Sequence, residues 1–254
     1  MLNTSFFTYL KKYMWTSACA GVILSILIGC GSGPRKQYSS KAEEIYDQGL
    51  IALEAEDFLA ADQFFQTVKL KFAYTPYAPL AEVRLGDVLF VQGRYIEAIS
   101  LYQFFIKSRP NHREVPYAYW KISEGYFKQI PSDFFILPPP HERDQGSTKD
   151  ALRALKTYTA RYPQHQYAQE ADKYIQVCRK RLAAHELYVA QFYTRLGQDQ
   201  AALSRYEYLS QNFKDTPSYW NQAYTALKAI YKKQGKKEQL EALEQMKRYL
   251  KKIK

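Results

Sequence analysis

Small side chains recur in this chain at a constant interval: Gly49, Gly86 and Ser123 each stand thirty-seven residues after the one before. Gly86 is followed by Ala98, Tyr102 and Phe105 at offsets of twelve, sixteen and nineteen, and by Pro110 at twenty-four; Ala61, Phe65 and Val68 repeat the first three offsets from Gly49. Such spacing is what two antiparallel helices in close approach require. Glycine on one helix and alanine on the other remove bulk where the backbones cross, and the aromatic residues fill the gap beyond. Gly93 and Arg94 fall in the intervening turn, where glycine tolerates a positive φ. One such hairpin cannot bury its own apolar face, so neighbours must stack on it.

These are the buried positions of a tetratricopeptide (TPR) repeat. The expected fold is all-α, a TPR-like α-solenoid of about five helical hairpins occupying residues 41–254. The first hairpin begins near Lys41 and turns at Glu56-Asp57; the second runs from Leu80 to its stop at Pro110. A third opens at Tyr117, but Ala151, Leu155, Tyr158 and Pro163 place its second helix about 16 residues late. The insert, 128–149, contains Pro138-Pro139-Pro140 and cannot be helical throughout. Ser147, with Asp150 three residues on, is expected to cap the restarting helix. Residues 167–195 hold neither proline nor glycine and predict one long helix leading to a turn at Gly197. Ala202, Tyr206 and Leu209 then stand in second-helix spacing. A fifth hairpin follows from Ser218, with its turn at Gly235 and inward positions at Leu240, Leu243, Met246 and Tyr249.

Low glycine, 11 in 254 residues, agrees with helices. The net charge of +11 includes Lys11 and Lys12; without them +9 remains, unevenly spread. Residues 41–66 carry seven acids and one base, whereas 225–254 carry ten bases and three acids. The basic end admits three readings: contact with an acidic partner domain, contact with anionic lipid or polysaccharide, or a solubilising cap on the solenoid. Nucleic acid is not supported, since no basic-aromatic readout motif occurs.

The amino terminus reads as an address. Lys11-Lys12 precede an uncharged run from Tyr13 to Ile28, too short for a membrane span of roughly 20 residues. The run ends in Leu27-Ile28-Gly29-Cys30, which resembles a bacterial lipobox. Residues 1–29 are expected to be removed, leaving Cys30 acylated and residues 30–40 as a polar linker. No cofactor is called for beyond this covalent lipid, whose chains contribute roughly 0.8 kcal/mol per buried CH₂. Gly31 rather than aspartate after the cysteine resembles the sorting pattern for the outer membrane. Cys19 leaves with the leader, so Cys178 has no partner for an intramolecular disulfide and reads as a small buried hydrophobe.

A lipobox, five TPR-like hairpins, a proline-rich break inside the third, and a long helix carrying His185-Glu186-Leu187-Tyr188-Val189-Ala190-Gln191-Phe192-Tyr193 together resemble one family. That segment has the form H-E-x-x-V-A-x-F/Y-Y, and it continues through Gly197 and Arg205-Tyr206-Glu207 to Asn212-Phe213-Lys214-Asp215-Thr216. The likeness is to the BamD lipoproteins of the outer-membrane β-barrel assembly machinery, with Lys214 where that family usually has proline. It implies a non-enzymatic scaffold anchored to the periplasmic face of the outer membrane. Its implied partners are unfolded outer-membrane proteins, a BamA-type barrel subunit and other assembly lipoproteins. The resemblance places the barrel subunit on the last repeats and makes Arg205 a donor to a partner carboxylate.

Repeat geometry gives the expected peptide-binding groove as Tyr46, Leu50 and Leu53, then Val83, Asp87 and Phe90, then Trp120, Glu124 and Phe127. Two other classes compete: a TPR lipoprotein of pilus assembly or peptidoglycan machinery, which would lack the proline-rich insert followed by a long connecting helix, and an enzyme such as a cell-wall hydrolase. His112, His141, His165 and His185 are scattered, and His141-Glu142-Arg143-Asp144 lacks a second histidine at ligand spacing, so neither catalytic nor metal residues are assigned. The insert reads as a structural or docking loop.

Overall fold

The computed structural model describes residues 34–131 and 138–252, with side chains from residue 37. The leader, Cys30 and residues 132–137 of the insert lie outside the described residues. Ten α-helices account for nearly everything described. They are α1 Pro34–Glu54, α2 Phe58–Lys71, α3 Tyr77–Val91, α4 Tyr95–Ser108, α5 Val115–Lys128, α6 Gly146–Arg161, α7 Ala168–Arg195, α8 Asp199–Asn212, α9 Pro217–Lys233 and α10 Lys237–Lys252. Consecutive pairs form the five expected hairpins. The chain divides into two units at the Ala81/Glu82 boundary, inside α3.

In the first unit α1 and α2 pack through Ala42, Tyr46, Ala61, Phe65 and Val68, all buried. A Cβ on Gly49 would lie 2.6 Å from the Phe65 ring, which is the close approach that the spacing demanded. Tyr46 sits against Phe65 and Tyr77 with ring centroids 5.6 and 5.7 Å away. One boundary differs from expectation: α1 starts at Pro34, so residues 34–40 are helical rather than a linker. Proline is well suited to a first helical turn, because the N–H it lacks would have no intrahelical acceptor there.

In the second unit each helix from α4 onward packs on the next, and α5 and α9 also touch α7, so successive hairpins stack in sequence. Gly86 repeats the Gly49 arrangement, its absent Cβ 2.6 Å from the Tyr102 ring. At Ser123 the small residue is no longer glycine, and the residue in the Tyr102 position is the narrower Leu155. Three contiguous cores fill the unit: Val83 to Ile122 around Tyr102 and Phe105, Trp120 to Cys178 around Leu155 and Tyr158, and Leu182 to Leu243 around Tyr206, Leu209 and Trp220.

The hairpin turns at Glu56, Gly93, Gly197 and Gly235 share one backbone form. In the second hairpin the Gly93 N–H bonds Phe90 O and the Arg94 N–H bonds Leu89 O; Gly197/Gln198 and Gly235/Lys236 repeat both bonds. Glu56/Asp57 repeats them too, with Glu56 at φ 58°, so a glutamate occupies the left-handed position that glycine fills elsewhere.

The long helix appears as expected, one element from Ala168 to Arg195. Two details differ from expectation. The cap of α6 is Gln145, not Ser147, which lies inside the helix. Asp144 Oδ2 already accepts the Gly146 N–H at 2.9 Å, and Gln145 Nε2 donates to Pro140 O and Arg143 O, fixing the entry. In α10 only Leu243 of the four inward candidates is buried; Leu240 and Met246 are partly covered and Tyr249 is exposed. The last helix of a stack has a neighbour on one side alone, so a narrow apolar stripe suffices.

Candidate functional site

Of the nine groove candidates, five are taken up by packing: Tyr46, Val83, Phe90 and Trp120 are buried apolar residues, and Asp87 is a buried carboxylate. Leu50, Leu53, Glu124 and Phe127 are half-buried. All nine lie on the first helices α1, α3 and α5, at differing depths. In an array, residues facing the next hairpin and residues facing solvent differ by a fraction of a turn, which spacing alone does not resolve.

Asp87 shows what such a position can become. Its Oδ1 accepts from Tyr102 Oη at 2.5 Å and from Tyr117 Oη at 2.8 Å, while Arg84 pairs with Oδ2. Burial and the Asp87 charge push the Tyr102 hydroxyl well above its ordinary range. The network joins α3, α4 and α5 and is structural. Trp120 is likewise sandwiched, stacked on Tyr167 and Tyr174 at 5.2 and 5.7 Å, and Phe127 stacks on Tyr174 at 4.0 Å.

The segment carrying the family resemblance does converge. His185 Nδ1 lies 2.7 Å from the carbonyl of His141, and the His141 ring meets Tyr188 edge-on. Four residues before His185, Arg181 Nη2 donates to Pro131 O at 3.0 Å. The helix therefore holds both described ends of the proline-rich insert. The next residue, Glu186, is buried and accepts from Arg205 Nη1 of α8 at 3.1 Å. Arg205 itself keeps 46% of its side chain exposed. Glu207, two residues on, accepts from Tyr231 Oη of α9 at 2.8 Å. The R-x-E run thus stitches three helices together, and Arg205 stands at the surface with one contact already made inside the chain.

Two cavities open on the second unit. One, about 490 Å³, lies over α5, with Tyr119, Ile122 and Tyr126 on its floor and α4 and α6 as walls. The other, about 520 Å³, lies between the start of α9 and the end of α10. Repeat spacing marks neither, because each depends on how neighbouring helices are rotated about their axes.

The histidines have structural work. Each turn between hairpins is closed by a residue whose N–H bonds the carbonyl three residues back: Thr75 to Phe72, His112 to Arg109, His165 to Tyr162 and Thr216 to Phe213. The threonines repeat the bond with Oγ1. The His112 ring packs edge-on against Phe105, and His165 Nδ1 meets Tyr158 Oη at 2.6 Å. Burial holds both imidazoles below their ordinary pKa. This seven-residue relation to Val68, Phe105, Tyr158 and Leu209 was visible in the sequence and missed. Cys178 is buried in the second core, and burial pushes its thiol up to about 12. Among the described residues no His/Cys/Asp/Glu group could hold a metal, and no helix is long and apolar enough to cross a membrane.

Comparison with known proteins puts a family beside this geometry. The chain is similar to outer membrane protein assembly factor BamD of Caulobacter vibrioides, 26% identical over 201 residues, covering 78% of this chain and 63% of that protein. It thus spans less than two thirds of that relative's length. The Xylella fastidiosa (strain Temecula1) protein of the same name is 25% identical over 84% of this chain and 73% of its own, and the Vibrio cholerae one 23% over 76% and 81%. A solved Podosopora anserina putative kinesin light chain with TPR-like repeats aligns at 14% identity over 84% of this chain and 95% of that one; its TM-score of 0.38 adds nothing to the fold argument. The family model described as "YfiO: Outer membrane lipoprotein" matches residues 38–248, from the second turn of α1 to the last turn of α10, and the chain belongs to that family.

Proposed function

We propose that this chain is a lipid-anchored scaffold of the machinery that assembles β-barrel proteins in the outer membrane. Acylated Cys30 holds it on the periplasmic face, and its hairpins bind unfolded barrel precursors and a BamA-type barrel subunit, working by binding without chemistry. The observation that carries this reading is the family match across nearly all described helices, together with relatives named as outer membrane protein assembly factors.

Arg205 is the proposed donor to a carboxylate on the barrel subunit. Glu186 steadies the guanidinium while leaving nearly half its side chain exposed, which lowers the entropy lost when a partner binds. Leu50 and Leu53 on the first unit, and separately Glu124 and Phe127 on the second, are the groove candidates with surface left to offer a precursor; Tyr126, on the floor of the cavity over α5, belongs with the latter pair.

Photo-crosslinking in cells tests the assignment. A crosslinker at Tyr208, one turn beyond Arg205 and 47% exposed, is expected to capture the barrel subunit, and one at Tyr126 nascent barrel precursors. Capture of pilus or peptidoglycan proteins instead would overturn it. Mass spectrometry of the mature amino terminus checks the anchor: Cys30 should carry acyl chains, and C30S should leave the protein unattached to membranes.

A further inference from the structure

The cavity between α9 and α10 has a chemistry of its own. Its floor is apolar, made by the buried Trp220 ring, Pro217 and Leu250. Trp220 is held in place by its Nε1–H, which donates to Ser210 O at 2.9 Å. Around the mouth stand the exposed Lys214 on one wall and the exposed Lys247 and Lys251 on the other. Asp215 is the one carboxylate there, and its charge is offset within the chain. Arg179 grips both of its oxygens and also donates to Asn212 O at 2.6 Å. Burial pushes the Asp215 carboxyl up, but the Arg179 bonds outweigh it and hold the group below the ordinary carboxylate range. The net field at the mouth is therefore positive. The start of α9, at Pro217, adds the partial positive charge of a helix N-terminus.

We propose that this cavity binds an acidic peptide segment, seating one bulky apolar side chain on Trp220 and Leu250 while flanking carboxylates pair with Lys214, Lys247 and Lys251. The volume, about 520 Å³, is that of an ordinary ligand pocket. The polar groups select a peptide over an anionic lipid. Asn221 offers both a donor and an acceptor, which suits backbone N–H and C=O groups, and the Asp215 carboxylate can accept a backbone N–H but repels the charge of a phosphodiester. The ligand class follows from the cavity alone and stands whether or not the assembly role does.

The test uses the full chain in zwitterionic detergent and a fluorescein-labelled, acetylated peptide of alternating Glu and Leu residues, read by anisotropy. Binding should weaken with added salt and fall on the order of tenfold or more in K247E/K251E, since opposed charges become like charges. K214E, on the opposite wall, should weaken it as well and serves if the double variant melts early. Peptides with Glu→Gln or Leu→Ser should each bind more weakly than the parent. Equal binding to the wild type and both variants would overturn the proposal. So would capture of phosphatidylglycerol vesicles by this site with no binding of the peptide.

Discussion

In the first hairpin the ring of Phe65 lies over Gly49; in the second, thirty-seven residues on, the ring of Tyr102 lies over Gly86. The backbone approach is the same, since an added Cβ would come within 2.6 Å of the ring in both. What differs is one hydroxyl and its partner. The residue after Gly49 is Leu50, and Phe65 needs no acceptor. The residue after Gly86 is Asp87, and Tyr102 donates to it. Two other differences follow the chain: the first hairpin turns on Glu56 where the second turns on Gly93, and it closes on Thr75 where the second closes on His112. Shape is thus set by the small-residue interval, while polarity at the same depth is free to vary, provided donor and acceptor change together.

The largest effect should come from breaking that pairing. Asp87→Ala leaves the Tyr102 and Tyr117 hydroxyls without their acceptor and should cost about 3 kcal/mol in urea unfolding, while the triple change D87L/Y102F/Y117F, which makes the second hairpin resemble the first, should cost less. Next, Gly86→Ala and Gly49→Ala should each cost about 2 kcal/mol, because the facing ring must move. Adding Phe65→Leu to G49A should recover part of the loss, as the Ser123 and Leu155 combination in the third hairpin implies, since the Phe65 ring has no hydrogen bond to lose. A smaller penalty, about 1 to 2 kcal/mol, is expected for Phe65→Tyr, which puts a hydroxyl into the first hairpin opposite Leu50. Exchanging the turn residues tests the backbone alone: Glu56→Gly should stabilise by about 1 kcal/mol and Gly93→Glu destabilise by a similar amount.

The smallest effect is in pH dependence. His112 is held below its unfolded pKa, so the folded chain takes up its proton at lower pH than the unfolded chain does. Its contribution is fully present above about pH 6.5 and declines as pH falls toward the folded value. His112→Thr, which copies the first hairpin, should flatten the stability profile below pH 6.5, and thermal melts at pH 7 and pH 5 would show it. His165→Thr should act the same way.

Much of the architecture could be read directly. Gly49, Gly86, Ala61 and Ala98 specify a helix crossing because close approach of two backbones requires small side chains at that interval, and the absence of proline and glycine from 168 to 195 specifies one long helix. The start of α1 at Pro34 is not legible in the sequence, because a polar segment with a proline resembles a linker until its partner helix is known. The cap of α6 is hidden because Gln145 is a poor capping residue by type and is fixed by carbonyls of the insert. The candidate sites were less legible. Trp120 and Val83 looked like groove residues for the reason that makes them core residues, an apolar side chain on the inner face of a first helix.

The chain's own order of residues therefore determined the number of hairpins, where each turns, and which small residues meet which rings, since these depend on a regular interval of small side chains and on backbone sterics. The tertiary structure decided what local spacing cannot encode: that Glu186 faces Arg205, that the proline-rich insert is held by His185 and Arg181, and that two lysines from α10 come to stand beside Trp220 of α9. Those outcomes depend on the rotation of each helix about its axis, which is fixed when several packed neighbours are satisfied at once.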